Sequence, residues 1–330
     1  PDAPMAMAAA ICRPEPMPPA ASTGIGDTAS MTSGHSTIDP TSPVWLPPSV
    51  PWAMMKSSPA SLCDSACLAA PQRAPTRRPV DWMDDLKRVY CGCSARGEIA
   101  SFAFDAVTGR LRRREIAQLS PAPRPTKSTP LAVRPGGDFL YVADRGQPCG
   151  IVTFEVEEDG ALTRISSVST AGRIACLCTD RSGSWLLGAS YPDSLIVIHS
   201  IDSASGIAGD ATQVIGGVVK AHSVVLDASG RHCYVAALGE DRIRSFRLDP
   251  RDGQISAANP AHAEMTANSG PRHLAIHPTG RNLYCLNETD GTIDVLAIDG
   301  PTGRLAPVHR VRAAPVDATR VANVRAADLA

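Results

Sequence analysis

Short apolar runs alternate with polar positions over most of the chain, and each run ends at a cluster that contains glycine or aspartate. Four segments align with one another: PLAVRPGGDFLYVAD (130–144), CLCTDRSGSWLLGAS (176–190), SVVLDASGRHCYVAA (223–237) and HLAIHPTGRNLYCLN (273–287). Alternation with a period of about two is typical of half-buried β-strands, and a glycine between two such runs is typical of a tight turn. Each segment is therefore predicted to form a β-hairpin.

The hairpins recur at a nearly constant interval along the chain. Their turn glycines, Gly137, Gly183, Gly230 and Gly280, lie 46, 47 and 50 residues apart, and an earlier half-copy, RVYCGCS, precedes them. A third and a fourth strand, joined by a second turn, follow each copy. Such four-stranded units are typical of β-propeller blades. A β-sandwich remains an alternative, but it would not explain the regular repeat. We predict an all-β fold, a β-propeller of four-stranded blades with about five blades present.

Residues 1–86 differ from the rest of the chain in composition. Of the 29 prolines, 15 lie before residue 86, and prolines this dense remove the backbone donors that a sheet or helix needs. We predict a disordered Pro/Ala/Ser-rich segment at residues 1–86 and an incomplete β-propeller at residues 87–330. The first copy lacks its innermost strand, and the final AADLA resembles the start of another inner strand. We therefore expect a truncated chain, whose first blade is completed in the intact protein by a C-terminal strand.

The charge balance excludes some classes of partner. The net charge is −1 and the isoelectric point is near 6.8, so there is no basic surplus to neutralise the phosphates of a nucleic acid. No uncharged apolar run reaches the roughly 18 residues that a membrane span needs. We expect a soluble, cytoplasmic protein with no nucleic-acid or membrane partner. The sequence makes no prediction about its oligomeric state.

Two pairs of cysteines are spaced as CxC, namely Cys91/Cys93 and Cys176/Cys178. Residues i and i+2 of a strand share one face, but metal sites need further ligands at defined spacing, and the sequence has none nearby. We interpret these cysteines as reduced, small buried side chains. The sequence predicts neither a metal nor a cofactor.

Some aligned positions of the four hairpins carry a different residue in each copy. Residues at these positions are not required by the repeated fold. Residues equally far before and after a hairpin turn are expected to face each other across its two strands. Eight positions before the turn glycine stand Thr129, Ala175, His222 and Arg272, and eight positions after it stand Arg145, Tyr191, Leu238 and Glu288. Both positions lie at the open end of the hairpin, so we expect all of these residues at one rim of the propeller.

His222, Arg272 and Glu288 are the candidate catalytic residues. Arg145 and Tyr191 are candidate substrate-binding residues, together with Arg272.

Structural interpretations of these residues remain open. Arg272 and Glu288 can form an exposed ion pair across the strand ends, which contributes only a fraction of a kcal/mol. His222 can be a structural histidine at a strand start. Four further residues are weaker candidates: Asp241, Arg242, His273 and His277. On the alternating pleat, His273 is expected to point away from Arg272, and His277 lies in the turn at the opposite end of the hairpin.

Several of these stretches resemble a known family. AHSVVLDASGRHCYVAALGEDRI, SGPRHLAIHPTGRNLYCLNETDGTI and the terminal RAADLA resemble the β-propeller lactonase family, and the resemblance covers about residues 88–330. Bacterial members are 6-phosphogluconolactonases, seven-bladed cytoplasmic enzymes of the pentose phosphate pathway in carbohydrate metabolism, and fungal relatives are carboxymuconate-lactonising enzymes. The resemblance implies that roughly two of the seven blades are missing here.

The resemblance also implies a site and an activity. The family site uses a histidine, an arginine in a GPRH motif and a glutamate in an NE motif, which match His222, Arg272 and Glu288. A further arginine expected from a later blade has no counterpart in this chain. The implied reaction is hydrolysis of 6-phospho-D-glucono-1,5-lactone, without a metal. In it Glu288 or His222 activates water, and Arg272 binds the phosphate or the oxyanion.

Three alternatives remain at this point. The same residues could serve as general acid and base in an enzyme that forms or opens a muconate lactone. A non-catalytic propeller could instead bind a protein partner on its rim, although Tyr191 is the only aromatic anchor among the aligned rim positions. The chain could also be an inactive fragment, because an arc of blades that does not close leaves two unpaired sheet edges.

Overall fold

The computed structural model describes residues 8–9, 67–70, 86–120, 125–313 and 326. The first sheet contains β1 (Ala8–Ala9), β2 (Cys67–Ala70), β3 (Leu86–Cys93), β4 (Glu98–Asp105) and β5 (Arg110–Gln118). The second contains β6 (Leu131–Val133), β7 (Phe139–Asp144), β8 (Gly150–Val156) and β9 (Leu162–Ser169). The third contains β10 (Cys176–Thr179), β11 (Trp185–Ser190), β12 (Leu195–Ile201) and β13 (Ala208–Gly216).

The remaining two sheets follow the same plan. The fourth contains β14 (Ala221–Leu226), β15 (His232–Ala237), β16 (Arg242–Leu248) and β17 (Ile255–Glu264), with a short 3-10 helix (Leu238–Glu240) after β15. The fifth contains β18 (Pro271–Ile276), β19 (Asn282–Asn287), β20 (Thr292–Ile298) and β21 (Leu305–Arg312). In every sheet the strands are antiparallel and neighbour one another in chain order, and β6, β10, β14 and β18 pack side by side. The predicted all-β propeller with five blades is confirmed.

Two of the hairpin turns are held by an aspartate three positions before the turn glycine. The carboxylate of Asp180 accepts hydrogen bonds from the backbone N–H groups of Ser182, Ser184 and Trp185 at 2.8 to 2.9 Å. Asp227 holds the next turn in the same way. Such local acceptors compensate backbone donors that a tight turn leaves without a ladder partner.

The core lies between neighbouring blades. Leu187 and Ile198 of the third blade, for example, form one buried cluster with Val224 and Val235 of the fourth. Because strand residues alternate between the two faces of a sheet, the second, third and fourth blades each bury one face against the preceding blade and the other against the following blade. The blades are therefore stabilised mainly by contact with one another.

Three buried tyrosines connect successive blades. The hydroxyl groups donate to carbonyl oxygens of glycines in the outer hairpin of the following blade: Tyr90 to Gly160 at 3.2 Å, Tyr141 to Gly206 at 2.9 Å and Tyr234 to Gly303 at 2.9 Å. All three tyrosine side chains are fully buried. The third blade has Leu187 at the corresponding position, and its Trp185 Nε1 donates instead to the carbonyl of Pro250 in the fourth blade at 3.1 Å. We call these contacts the inter-blade tyrosine bonds.

The first blade differs from the expectation at its inner edge. β2 pairs with β3, with Cys67 opposite Cys91 and Ala70 opposite Arg88. A strand from the segment before residue 86 thus occupies the place where we expected a C-terminal strand. An open strand edge offers backbone groups to any extended segment that reaches it, so the repeat alone does not identify the partner. Apart from β1 and β2, the predicted disorder of residues 1–86 falls outside the described residues.

Several cysteines of the described part of the chain are reduced thiols. Cys233 and Cys285 are buried, and Cys149 and Cys178 are partly buried. Cys93, in contrast, is disulfide-bonded. The prediction of reduced thiols is wrong for Cys93, because residue spacing does not show which distant cysteine the fold brings to a strand end. The described part of the chain contains no helix that is long and apolar enough to cross a membrane.

Candidate active site

His222 lies on a β-bulge at the start of the inner strand of the fourth blade. The pairing of β14 with β15 passes from Ala221 opposite Ala237 directly to Ser223 opposite Ala236. His222 is therefore an extra residue on β14, without a partner of its own across the hairpin. A bulge of this kind bends the strand and re-aims a side chain, and bulges are frequent beside active sites.

Arg272 lies on the equivalent bulge of the fifth blade. Here the pairing passes from Pro271 opposite Asn287 to His273 opposite Leu286, so that Arg272 is the extra residue on β18. We had expected residues equally far from the turn to face each other directly across the two strands. That expectation is wrong along both hairpins. The pairs next to the turn are already displaced by one residue about the turn glycine, and the bulge displaces the pairs at the open end by one more.

Arg272 and Glu288 nevertheless form an ion pair. Nε of Arg272 lies 3.1 Å from Oε2 of Glu288, and the two side chains are 10% and 23% exposed. The backbone N–H of Glu288 donates to the carbonyl of Gly270 at 2.8 Å, which fixes the glutamate beside the strand that carries the arginine. The backbone N–H of Ala326 in turn donates to the carbonyl of Glu288 at 3.2 Å. This pair is too buried to be an ordinary surface ion pair.

The ring of His222 lies between two other rings. Tyr191 approaches it edge-on with ring centroids 5.6 Å apart, and His273 lies on another side with centroids 5.0 Å apart and the rings tilted by 48°. The expectation that His273 points away from the site is wrong, because the bulge at Arg272 breaks the alternation of the pleat. His277 lies in the β18–β19 turn, where its Nδ1 accepts a hydrogen bond from the N–H of Thr279 at 3.2 Å, and so takes the place of the aspartate in the β10–β11 and β14–β15 turns.

The surroundings of His222 oppose its protonation. Burial lowers the pKa of His222 well below its usual range, and the positive charges of His273, Arg272 and Arg145 lower it further. Its Nδ1 is buried and has no hydrogen-bond partner among the described residues. Arg145 is held by a hydrogen bond from its Nη1 to the hydroxyl of Ser128. A neutral imidazole can accept a proton, whereas an imidazolium cannot.

Four cationic or potentially cationic groups thus surround one carboxylate. We call the following set the rim cluster: Arg145, Tyr191, His222, Arg272, His273 and Glu288. It draws on four of the five blades, because Arg145 follows β7, Tyr191 follows β11, His222 is in β14, and the other three belong to the fifth blade. The structure brings together all five residues that the sequence singled out, and it adds His273.

A buried polar network lies behind Glu288. Asn287 is fully buried, and its Nδ2 donates to Oγ1 of Thr292 at 2.9 Å and to Oδ2 of Asp294 at 2.7 Å. Nε of Arg310 lies 3.6 Å from Oδ1 of Asp294. Sequence reasoning missed Asn287 and Arg310, although their polar side chains within apolar, strand-like runs were the available signal. A satisfied network of this kind holds the backbone of Glu288 in one position.

Asp241 supports the loop that leads to Arg272. Its carboxylate accepts hydrogen bonds from the N–H groups of Asn268 at 2.7 Å and Gly270 at 2.9 Å. Arg242, the other weak candidate of this stretch, forms an exposed ion pair with Glu264, with Nη2 to Oε1 at 2.9 Å. Asp241 therefore has a structural role near the rim cluster, and Arg242 is not part of it.

The rest of the described structure offers no competing catalytic centre. Among the described residues, no group of three or more His, Cys, Asp or Glu side chains is arranged to hold a metal ion. A cavity of about 300 Å³ lies between the first and second blades, lined in part by Leu119, Asp144, Cys149 and Arg164. It contains none of the rim-cluster residues, and we place the candidate active site at the rim cluster because that is where the reactive groups converge.

Comparison with known proteins agrees with the propeller fold. The family described as "Lactonase, 7-bladed beta-propeller" matches residues 88–330. The 6-phosphogluconolactonase of Pectobacterium carotovorum is 34% identical over 191 residues, which cover 58% of this chain and 57% of that protein. The 6-phosphogluconolactonase of Serratia proteamaculans is 33% identical over 193 residues, with the same coverage of 58% and 57%. The match thus spans little more than half the length of these curated relatives.

Solved structures agree on the fold. A periplasmic gluconolactonase of Pseudomonas aeruginosa is 24% identical with a TM-score of 0.59, covering 68% of this chain and 66% of that one. A candidate 6-phosphogluconolactonase of Bacteroides fragilis is 21% identical with a TM-score of 0.64, covering 72% and 71%. At these identities the likeness concerns the fold alone. From the repeated blades, the rim cluster and the family match together, we conclude that the chain belongs to the seven-bladed β-propeller lactonase family.

Proposed function

We propose that this protein hydrolyses a sugar lactone, and that its substrate is 6-phospho-D-glucono-1,5-lactone. The observation that carries the proposal is the convergence of His222, at the start of the inner strand of the fourth blade, with the Arg272–Glu288 pair at the open end of the fifth blade's hairpin. The names of the curated relatives support the choice of substrate. The proposed product, 6-phosphogluconate, places the reaction in the pentose phosphate pathway.

The charge of the rim cluster suits an anionic substrate. Arg145 and Arg272 both lie close enough to His222 to lower its pKa, so two guanidinium groups face one space. A guanidinium presents a planar set of donors that matches a phosphate or carboxylate. Glu288 balances the charge of Arg272 and leaves the charge of Arg145 available for the substrate.

The proposed mechanism begins with proton transfer from water to His222. The His222 ring is neutral at rest, whereas Glu288 is already engaged by Arg272, and this favours His222 as the base. The water oxygen bonds to the lactone carbonyl carbon, and the carbonyl oxygen becomes an oxyanion that Arg272 stabilises. When the tetrahedral intermediate collapses, the bond from that carbon to the ring oxygen breaks. The departing oxygen takes the proton back from His222.

The test is lactone hydrolysis by three single variants, His222→Ala, Arg272→Ala and Glu288→Gln. Each is expected to lose at least about a hundredfold in kcat/KM, the usual scale for an acid–base or charge-stabilising group. His277→Ala and Arg242→Ala are matched controls, since both change the same residue types outside the rim cluster, and they are expected to stay near the unaltered rate. Retained activity in all three site variants, or turnover of a muconate lactone alone, would contradict the proposal.

A further inference from the structure

His222 is in contact with one ring from the preceding blade and one from the following blade. Tyr191 stands at the end of the third blade's second strand, and His273 stands in the inner strand of the fifth. The centroid distances to His222 are 5.6 Å and 5.0 Å. Ring pairs at such separations restrict one another's rotation. The orientation of His222 is therefore set by side chains of two other sheets.

The bulge at Arg272 explains how His273 reaches this position. In a regular strand, consecutive residues point to opposite faces of the sheet, so that one of Arg272 and His273 would leave the site. The extra residue on β18 places both beside His222, as the ring distance and the effect of both charges show. The same local irregularity thus supplies an arginine and an imidazole to the rim cluster.

The charged and titratable groups that face His222 come from three other blades. They are Tyr191 after β11, Arg145 after β7, and Arg272 and His273 on β18. Of the cations, Arg272 is compensated by the carboxylate of Glu288. His273 is in ring contact with His222, and its positive charge lowers the pKa of His222.

We propose that His273 is a positioning residue: by packing against the His222 ring, it fixes the orientation of that ring and disfavours its protonated form. This inference rests on the proposed function, in which His222 accepts a proton from water. His273 need not touch the substrate for this role. Its effect is exerted through His222, and it has two separable parts, the packing of one ring on another and the repulsion between two positive charges.

The electrostatic part has a definite sign. A positive charge on His273 lowers the pKa of His222. Removing that charge therefore raises the pKa of His222, so His222 becomes protonated at a higher pH than before. If His222 is the base, its protonated form is inactive, and the acid limb of the rate profile moves to higher pH in step with it.

Two variants separate the two parts. His273→Phe keeps a ring of similar size and removes the charge, whereas His273→Ala removes both. The first measurement is the titration of His222 by NMR in the full chain, with the His222 signal assigned by its loss in His222→Ala. We expect the pKa of His222 to rise by about half a unit or more in His273→Phe. His277→Phe, the same change at the far end of the same hairpin, is expected to leave the His222 titration unmoved.

The second measurement is the pH dependence of kcat/KM. In His273→Phe the acid limb is expected to move by the same amount as the NMR titration, with kcat at its plateau within about threefold of the unaltered protein. His273→Ala is expected to lose about tenfold in plateau kcat as well, because the His222 ring is no longer held in one orientation.

The proposal is overturned if His222 titrates at the same pH in His273→Phe and in the unaltered chain. It is also overturned if both variants lose activity equally without moving the acid limb, since that pattern is what a merely structural histidine gives. The NMR titration needs no substrate. A chain that hydrolyses no lactone but shows the shift would therefore overturn the proposed function and leave the coupling of the two histidines standing.

Discussion

Arg145 is the residue whose proposed role is most easily separated from catalysis. Its guanidinium is held by Ser128, and its Nε is buried without a hydrogen-bond partner among the described residues. Burial lowers the pKa of Arg145 and the neighbouring Arg173 lowers it further. A buried cation with an unused donor favours binding of an anion, because the anion supplies both the charge and the acceptor that the site lacks.

We expect Arg145→Gln to raise KM for the phosphorylated lactone by about 10- to 100-fold, the equivalent of one charged hydrogen bond, with little change in kcat. The unphosphorylated gluconolactone lacks the anion, so its KM is expected to change much less. Steady-state kinetics on the two substrates measure the difference. An equal loss on both lactones would mean that Arg145 does not bind the phosphate.

At the residue scale, the sequence predicted the site only where a residue broke the repeat. His222, Arg272 and Glu288 stand at aligned positions where the other copies carry unrelated residues, and this difference was visible in one sequence. His273 was only a weaker candidate, expected to point away from Arg272, and Asn287 was not found. The position of His273 in the site depends on a register shift that the residue types do not predict. Asn287 acts through buried partners that become its neighbours only in the folded sheet.

The element that matters most for the site is the loop between β17 and β18. Gly270 in this loop has a φ of +65°, a conformation that side chains other than glycine rarely adopt. A Cβ atom placed on it would lie 2.6 Å from Oγ1 of Thr289, the residue after Glu288. Glycine is therefore required here for two independent reasons, the backbone conformation and the close approach to the strand end that carries Glu288.

We expect Gly270→Ala to lower the free energy of unfolding by about 2 to 3 kcal/mol, from the backbone strain together with the clash. Gly109→Ala is the matched control, because Gly109 has a φ of +68° and nothing within 4 Å of the position of a Cβ. It is expected to cost only the backbone term, about 1 kcal/mol. Urea unfolding measures both. Equal costs would show that the approach to Thr289 is not restrictive.

Hairpins were predicted well at the element scale, and bulges were not. Turn glycines and alternating apolar residues are local signals, and they placed the hairpins of all four aligned segments correctly. A bulge forms where one of two paired strands has one residue more than the other, and this depends on both strands together. The assumption of strict alternation consequently failed at the bulges, and those bulges hold His222 and Arg272.

For the whole molecule, the inter-blade tyrosine bonds allow a direct test of how the blades cooperate. We expect Tyr234→Phe to lower the free energy of unfolding by about 1 to 2 kcal/mol, because the carbonyl of Gly303 loses its donor in a buried place. Tyr284, at the corresponding position of the fifth blade, is only partly buried, so Tyr284→Phe is expected to change stability by less. Denaturant titration of the two variants compares them, and a larger loss for Tyr284→Phe would contradict this explanation.

The number and order of blades followed from the repeat, because each copy is one complete unit of strand pairing. The innermost strand of the first blade did not, since β2 belongs to no repeat and lies in a segment whose composition gave no strand signal. Periodicity therefore predicted the repeated strands of the molecule and gave no prediction for β2, which occurs only once.

The rim cluster takes its side chains from four separate sheets. Inter-blade tyrosine bonds join the second sheet to the third and the fourth to the fifth, and the hydrogen bond from Trp185 to Pro250 joins the third to the fourth. Distances between the side chains of the rim cluster are consequently set by the angle at which neighbouring sheets meet. A small rotation of one sheet, too small to disturb any strand within it, would open or narrow the space between these side chains. The width of that space, and hence the size of molecule it admits, can be adjusted by substitutions at the periphery, far from the rim cluster itself.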